Sequence, residues 1–238
     1  MLSLTVQVVA SHLRLARWAT VVVAAIAMSC AASPPAPPPP PIDAEQIALR
    51  LEAGTRLSEP ARIFFRWALS ERDARFRGRG VARVEPPYKA RLDLFLANGE
   101  TVIRAALVDD ELRIPADSPR GLVPPAEFLW GTLGVFRPGR AAFLLSGQAL
   151  ADGDVRLTYR TSEGAELRYT LTGGSVREVE RLRQGQVVER LNLTPESAAH
   201  YPAEATYRDL PAFRELRLDR ERVELVEGYP PDIWEVGS

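Results

Sequence analysis

The sequence predicts a mainly β protein, an antiparallel sheet or barrel carried behind an N-terminal leader. Three observations point there. Turn signals recur about every ten residues after Pro60. The runs between them alternate apolar and polar side chains with period two. Only two segments of the folded part, 42–57 and 126–136, read as helix. The 238 residues are 26% charged and 46% hydrophobic with a net charge of −1, a globular composition. Near-neutral charge argues against nucleic acid as a partner. Lys89 is the single lysine, so nearly all positive charge is arginine.

The leader comes first. Arg14 and Arg17 form a basic segment, and residues 18–28 an apolar run. That run is shorter than the roughly 20 residues a bilayer span needs, so residues 1–29 read as a signal peptide. The only cysteine, Cys30, follows directly. One cysteine excludes an internal disulfide and a cysteine metal cluster. The passage resembles the lipobox of bacterial lipoproteins, with Ser29 in place and Ala27 and Met28 departing from the usual residues. That resemblance implies cleavage before Cys30 and acylation of its thiol, anchoring the chain in a membrane. Ordinary cleavage nearby and an uncut N-terminal anchor are the alternatives. The next stretch, "SPPAPPPPP", favours polyproline II and would form a stiff stalk of about 28 Å. Residues 30–41 are thus lipid anchor and stalk, and 42–238 the folded domain. Ala31, where the enterobacterial sorting rule places Asp for retention, implies the outer membrane.

The folded elements follow in order. Residues 42–57 form an amphipathic helix, capped by Asp43 and ended by Gly54. "RIFFRWALS" puts Ile63, Phe65, Trp67 and Leu69 on one strand face. "RFRGRGVARV" puts Phe76, Gly78, Gly80, Ala82 and Val84 on one face, with Arg75, Arg77, Arg79 and Arg83 on the other. The small residues either leave a cavity or admit a helix close to the sheet. Ala90, Leu92, Leu94 and Leu96 alternate with Arg91, Asp93 and Phe95, and Asn98-Gly99 reads as a two-residue hairpin turn. Asp109-Asp110 turns the chain again. Later strands are "DVRLTYRT", "AELRYTLT", "SVREVERLR", "QVVERLNLT", "FRELRLD" and "RVELVEG". Between the two sets, "AEFLWGTLGVF" reads as a short helix opened by Pro124-Pro125 and stopped by Pro138. It is apolar nearly all round and so must be covered. Gly131 and Gly134 weaken it alone, by about 1 kcal/mol each relative to Ala, which suits a mobile lid.

This order of elements, with "FRGRGVARVEPPYKARLDLFLANGETVIRAALVDDELRIP" as the most similar passage, resembles the LolA/LolB type of lipoprotein-binding domain over residues 42–238. The resemblance implies a strongly curved antiparallel sheet forming an unclosed β-barrel, with helices plugging the mouth. It implies an apolar interior that takes acyl chains of lipids or lipoproteins, and a place in the envelope facing the periplasm. Phe65, Trp67, Leu92, Leu94, Phe95, Phe128, Leu129, Trp130, Leu133 and Phe136 are the candidate lipid-binding residues. A carrier requires a cavity of several hundred Å³. A scaffold lipoprotein that binds another envelope protein, with a filled interior, is the competing expectation. The row Arg75, Arg77, Arg79 and Arg83 reads first as a solvated face, and secondly as a contact for anionic head groups or an acidic partner protein. His200 stands without companions for a metal site. The chain carries none of the nucleophile-elbow, zinc-protease or P-loop motifs, so a non-catalytic protein without cofactor is expected.

Overall fold

The computed structural model describes residues 41–116, 118, 121–196 and 200–236. The leader, Cys30 and nearly all of the proline stalk lie outside the described residues. Among the described residues, no helix is long and apolar enough to cross a membrane.

Helix α1 (Ala44–Thr55) opens with the Asp43 side chain accepting from the Gln46 N–H, as expected, and runs past Gly54 to Thr55. Five strands follow: β1 (Ala61–Glu71), β2 (Ala74–Glu85), β3 (Lys89–Leu96), β4 (Thr101–Val108) and β5 (Glu111–Arg113). Helix α2 (Ala126–Thr132) interrupts the sheet. The second set is β6 (Phe143–Ala149), β7 (Val155–Arg160), β8 (Glu166–Thr172), β9 (Ser175–Arg183), β10 (Gln186–Thr194), β11 (Glu204–Asp209) and β12 (Arg214–Leu225). A 3-10 turn (Pro231–Trp234) ends the described chain.

All twelve strands form one antiparallel sheet, ordered β5-β4-β3-β2-β1-β12-β11-β10-β9-β8-β7-β6. The first and last long strands meet in the middle, Ala61 opposite Leu225 and Glu71 opposite Arg214. Strands β5 and β6 end the sheet without pairing to each other among the described residues, so the barrel is unclosed. Inward side chains from β1 to β4 and from β7 to β12 join one apolar cluster with α2. A flat sheet this wide could not bring its two wings to one core, so the sheet wraps. Register shifts near Phe64, Leu94, Leu144, Thr170 and Val187 supply the bends.

Four local expectations are corrected. The Asn98-Gly99 hairpin has a three-residue loop, with the Leu96 N–H donating to the Glu100 carbonyl (2.8 Å) and Gly99 alone at positive φ. "FRELRLD" and "RVELVEG" form a single strand, β12, because Asp219 and Arg220 continue the ladder to β1. Strands β6 and β11 were not expected. A bulge near Leu145 breaks the alternation of β6, and β11 spans only six residues between prolines. Finally, Phe76 is 49% exposed rather than inward-packed. Pairing of β2 with β3 begins only at Gly78, so residues 74–77 project beyond the neighbouring strand.

Candidate functional site

The glycines of β2 lie opposite two aromatics of β1, Phe65 facing Gly80 and Trp67 facing Gly78. A Cβ at Gly78 would overlap the Phe95 carbonyl, and one at Gly80 would overlap the Phe65 ring. The Trp67 Nε1–H donates to the carbonyls of Arg79 and Phe95, both at 3.1 Å, where the β3–β4 register shifts. The space above the glycines is therefore neither empty nor given to a helix. The Phe65 and Trp67 side chains occupy it, an aromatic cover for strand glycines.

Helix α2 sits inside the curve of the sheet. Phe128 and Trp130 are fully buried. Phe128 meets Tyr207 edge-on at 5.4 Å, and Trp130 meets Tyr88 at 6.0 Å. The Trp130 Nε1–H donates to the Asp109 carbonyl at 2.7 Å. The helix ends earlier than its apolar run suggests. Gly134 adopts φ +76, its N–H donates to the Gly131 carbonyl (2.8 Å), and the Val135 N–H donates to the Trp130 carbonyl (3.0 Å). That is a Schellman ending, so Val135 and Phe136 lie beyond the helix. Phe136 packs on Tyr169 at 4.7 Å and Tyr159 at 5.9 Å. Gly131 is a point of contact: a Cβ there would come within 2.6 Å of Leu191 Cδ2 on β10.

Between α2 and the β1–β3 and β11–β12 part of the sheet lies an apolar void of about 30 Å³. This is room for a water molecule or so, not the several hundred Å³ expected of a loaded carrier. Of the expected lipid-binding residues, Phe65, Leu92, Leu129 and Leu133 line it. Trp67, Leu94, Phe128, Trp130 and Phe136 belong to the filled core instead. Phe95 is half-buried, in register with the outward Arg79, and is not a lining residue. Tyr201, Ala205, Leu218 and Arg220 also line it and were not anticipated; Arg91 borders it as well, although its guanidinium is held by Asp93 on the outer face. Alternation along β11 and β12 would have flagged Ala205 and Leu218. No local signal marks Tyr201, which reaches the core from a loop.

Polar contacts tie the plug to the sheet. Arg181 of β9 bridges Glu127, in the first turn of α2, and Glu189 of β10. The Tyr207 hydroxyl donates to Glu189. Burial pushes the Glu189 carboxyl above its ordinary value, against the opposing pull of the Tyr207 hydrogen bond and Arg181. On the outer face, Arg83 and Arg91 close on the buried Asp93 carboxylate. Arg83 therefore leaves the exposed arginine row, while Arg75, Arg77 and Arg79 stay in it. His200 stacks edge-on with Tyr201 at 5.0 Å. Among the described residues, no group of three or more His, Cys, Asp or Glu side chains is placed to hold a metal ion.

No protein-family model and no curated protein sequence matches the chain. Solved structures do. A LolA-superfamily protein from Nitrosomonas europaea, NE2245, superposes with a TM-score of 0.54 at 13% identity, over 82% of this chain and 99% of that one. A DUF1329-family protein from Desulfovibrio piger gives a TM-score of 0.49 at 8% identity, over 81% and 95%. A candidate outer membrane lipoprotein-sorting protein domain from Vibrio parahaemolyticus gives 0.49 at 9% identity, over 80% and 97%. The fold is of the LolA/LolB type.

Proposed function

We propose that this chain is a lipid-anchored envelope protein, tethered at the outer membrane through Cys30 and facing the periplasm, whose half-barrel accepts an acyl chain of a lipid or lipoprotein when α2 lifts. It is a binding protein and not an enzyme. The carrying observation is the void itself. Its wall is mostly apolar, and it lies directly under the short helix that plugs the curved sheet. An acyl chain needs that void to grow about tenfold, toward the several hundred Å³ usual for ligand sites. Helix α2 suits this movement. It has seven residues and no side-chain N-cap among the described residues. A helix that short owes its stability to tertiary contacts, which a ligand can replace. Arg220 also lines the wall, its guanidinium held by the Glu196 carboxylate and the Pro202 carbonyl at the edge of the void.

The small void equally favours a second reading, a scaffold that binds another envelope protein and keeps its interior filled. Native mass spectrometry of the full chain, searching for co-purified lipid, is the first discriminating measurement. The second locks the plug. In a Cys30→Ser background, a Gly131→Cys/Leu191→Cys pair would bond α2 to β10. Oxidation is expected to abolish uptake of a fluorescent fatty acid, and reduction to restore it. Uptake that ignores the lock would place any lipid outside the half-barrel, and no lipid in either assay would overturn the acyl-chain reading and leave the scaffold in the lead.

A further inference from the structure

Beyond the interior, one rim of the sheet combines three features. The β1–β2 hairpin projects past β3, with residues 74–77 all exposed. Beside its tip runs the β11–β12 turn, the Arg72 N–H donating to the Phe213 carbonyl at 3.3 Å. Large apolar side chains stand in solvent on both turns: Phe76 at 49% exposure, Leu210 at 40% and Phe213 at 75%.

The charge here is unusual for this molecule. Elsewhere arginines are mostly matched to carboxylates, as Arg208 is to Glu215 and Arg217 to Glu204. Arg72, Arg75, Arg77 and Arg79 make no ion pair among the described residues. Arg79 also stands directly across the ladder from Arg66, a like-charge pairing that disfavours the sheet. The nearest acids are largely engaged, Glu71 by Arg214 and Glu215 by Arg208. Asp73 stands in the turn itself.

We infer that this rim docks tip-first on an anionic phospholipid surface. Unneutralised arginines attract phosphate head groups, while exposed aromatic and aliphatic side chains enter the interfacial layer. Neither feature alone selects a membrane, because an acidic protein would satisfy the arginines and an apolar protein patch the phenylalanines. Together at a projecting tip, they match the layered order of a bilayer surface, charge outside and hydrocarbon within. This docking is independent of whether the interior binds an acyl chain.

The test uses the full-length Cys30→Ser chain with one new cysteine carrying bimane. One site is Ala74→Cys, at the hairpin tip. The control is Ser175→Cys, at the opposite end of the strands. Vesicles of phosphatidylcholine, with or without phosphatidylglycerol, carry brominated acyl chains as quenchers. The tip label should be quenched only when phosphatidylglycerol is present, the control label should not, and raised salt should relieve the quenching. Arg75→Glu/Arg77→Glu should weaken vesicle binding by at least about tenfold. Phe76→Ser/Phe213→Ser should retain loose binding but lose quenching. An unquenched tip, equal quenching on neutral vesicles, or quenching that survives charge reversal overturns the proposal. The acyl-chain reading would be untouched by that result, since it is tested by co-purified lipid and by the locked plug.

Discussion

Strands β7 to β9 and strands β1 to β3 both turn an apolar face toward the segment 128–136, but they fill the space differently. On the β7–β9 side the inward residues are large. Tyr159 and Tyr169 pack edge-on at 6.0 Å, Phe136 closes on both rings, and Leu157 and Leu167 are fully buried beneath. On the β1–β3 side the inward positions of β2 and β3 include Gly78, Gly80, Ala82 and Ala90, and two β1 aromatics cover the glycines. The apolar void lies on that side. One wing therefore grips the plug and the other leaves it room. This asymmetry teaches that a LolA/LolB-type interior can be closed without being uniformly packed.

The largest expected effect comes from breaking the filled wing. Tyr169→Ala should lower stability by about 3–5 kcal/mol, read as a shift in the urea midpoint. Its hydroxyl is buried without a hydrogen-bond partner among the described residues, so Tyr169→Phe should be neutral or gain up to about 1 kcal/mol.

In the loose wing, two equivalent substitutions should differ. Gly78→Ala collides with the Phe95 backbone carbonyl, which cannot move freely, and should cost about 3 kcal/mol. Gly80→Ala meets the Phe65 ring, which can swing toward the void, and should cost nearer 1 kcal/mol. Equal losses would mean that the void is not accessible to Phe65.

The tie between plug and filled wing should show in pH dependence. Burial raises the Glu189 carboxyl in the folded protein, so the folded state binds more protons there than the unfolded chain does. Folding is then favoured as pH falls through the folded value toward the ordinary one, and disfavoured above it. Denaturation midpoints measured at several pH values should show the parent gaining on Glu189→Gln as pH is lowered from neutrality toward 4.5.

The smallest change in stability should come from filling the void. Ala205→Val, on its wall, should alter stability by about 1 kcal/mol or less in either direction. The same variant should reduce fatty-acid capture several-fold if the void is where a ligand enters. Unchanged capture with unchanged stability would remove the functional meaning of the asymmetry.

Much of this fold was legible because its signals are local. Asp43 caps α1 through a bond three residues away, and the period-two pattern of β1 fixes Ile63, Phe65, Trp67 and Leu69 as inward. Strand β6 is hidden by its bulge, and the sequence of β12 reads as two strands because its outer half is mostly polar on both faces. The site was less legible. Alternation alone identified Phe65 and Leu92, and the apolar run identified Leu129 and Leu133. None of these signals says whether a buried side chain borders a void or a neighbour.

Composition, periodicity and turn residues thus determined by themselves the strand-rich class, one cappable helix, an apolar segment that must be covered, and a glycine-bearing strand. Each of these is a preference of neighbouring residues. Only the tertiary structure decided what covers what. The small residues of β2 became a bed for Phe65 and Trp67 rather than a ligand cavity, because the strand register places those rings directly opposite. Gly131 became a contact with Leu191 rather than a weak point, because β10 passes beneath it. Arg83 was neutralised because β3 brings Asp93 beside it, while Arg75 and Arg77 lie beyond the β2–β3 ladder and Arg79 faces Phe95 within it.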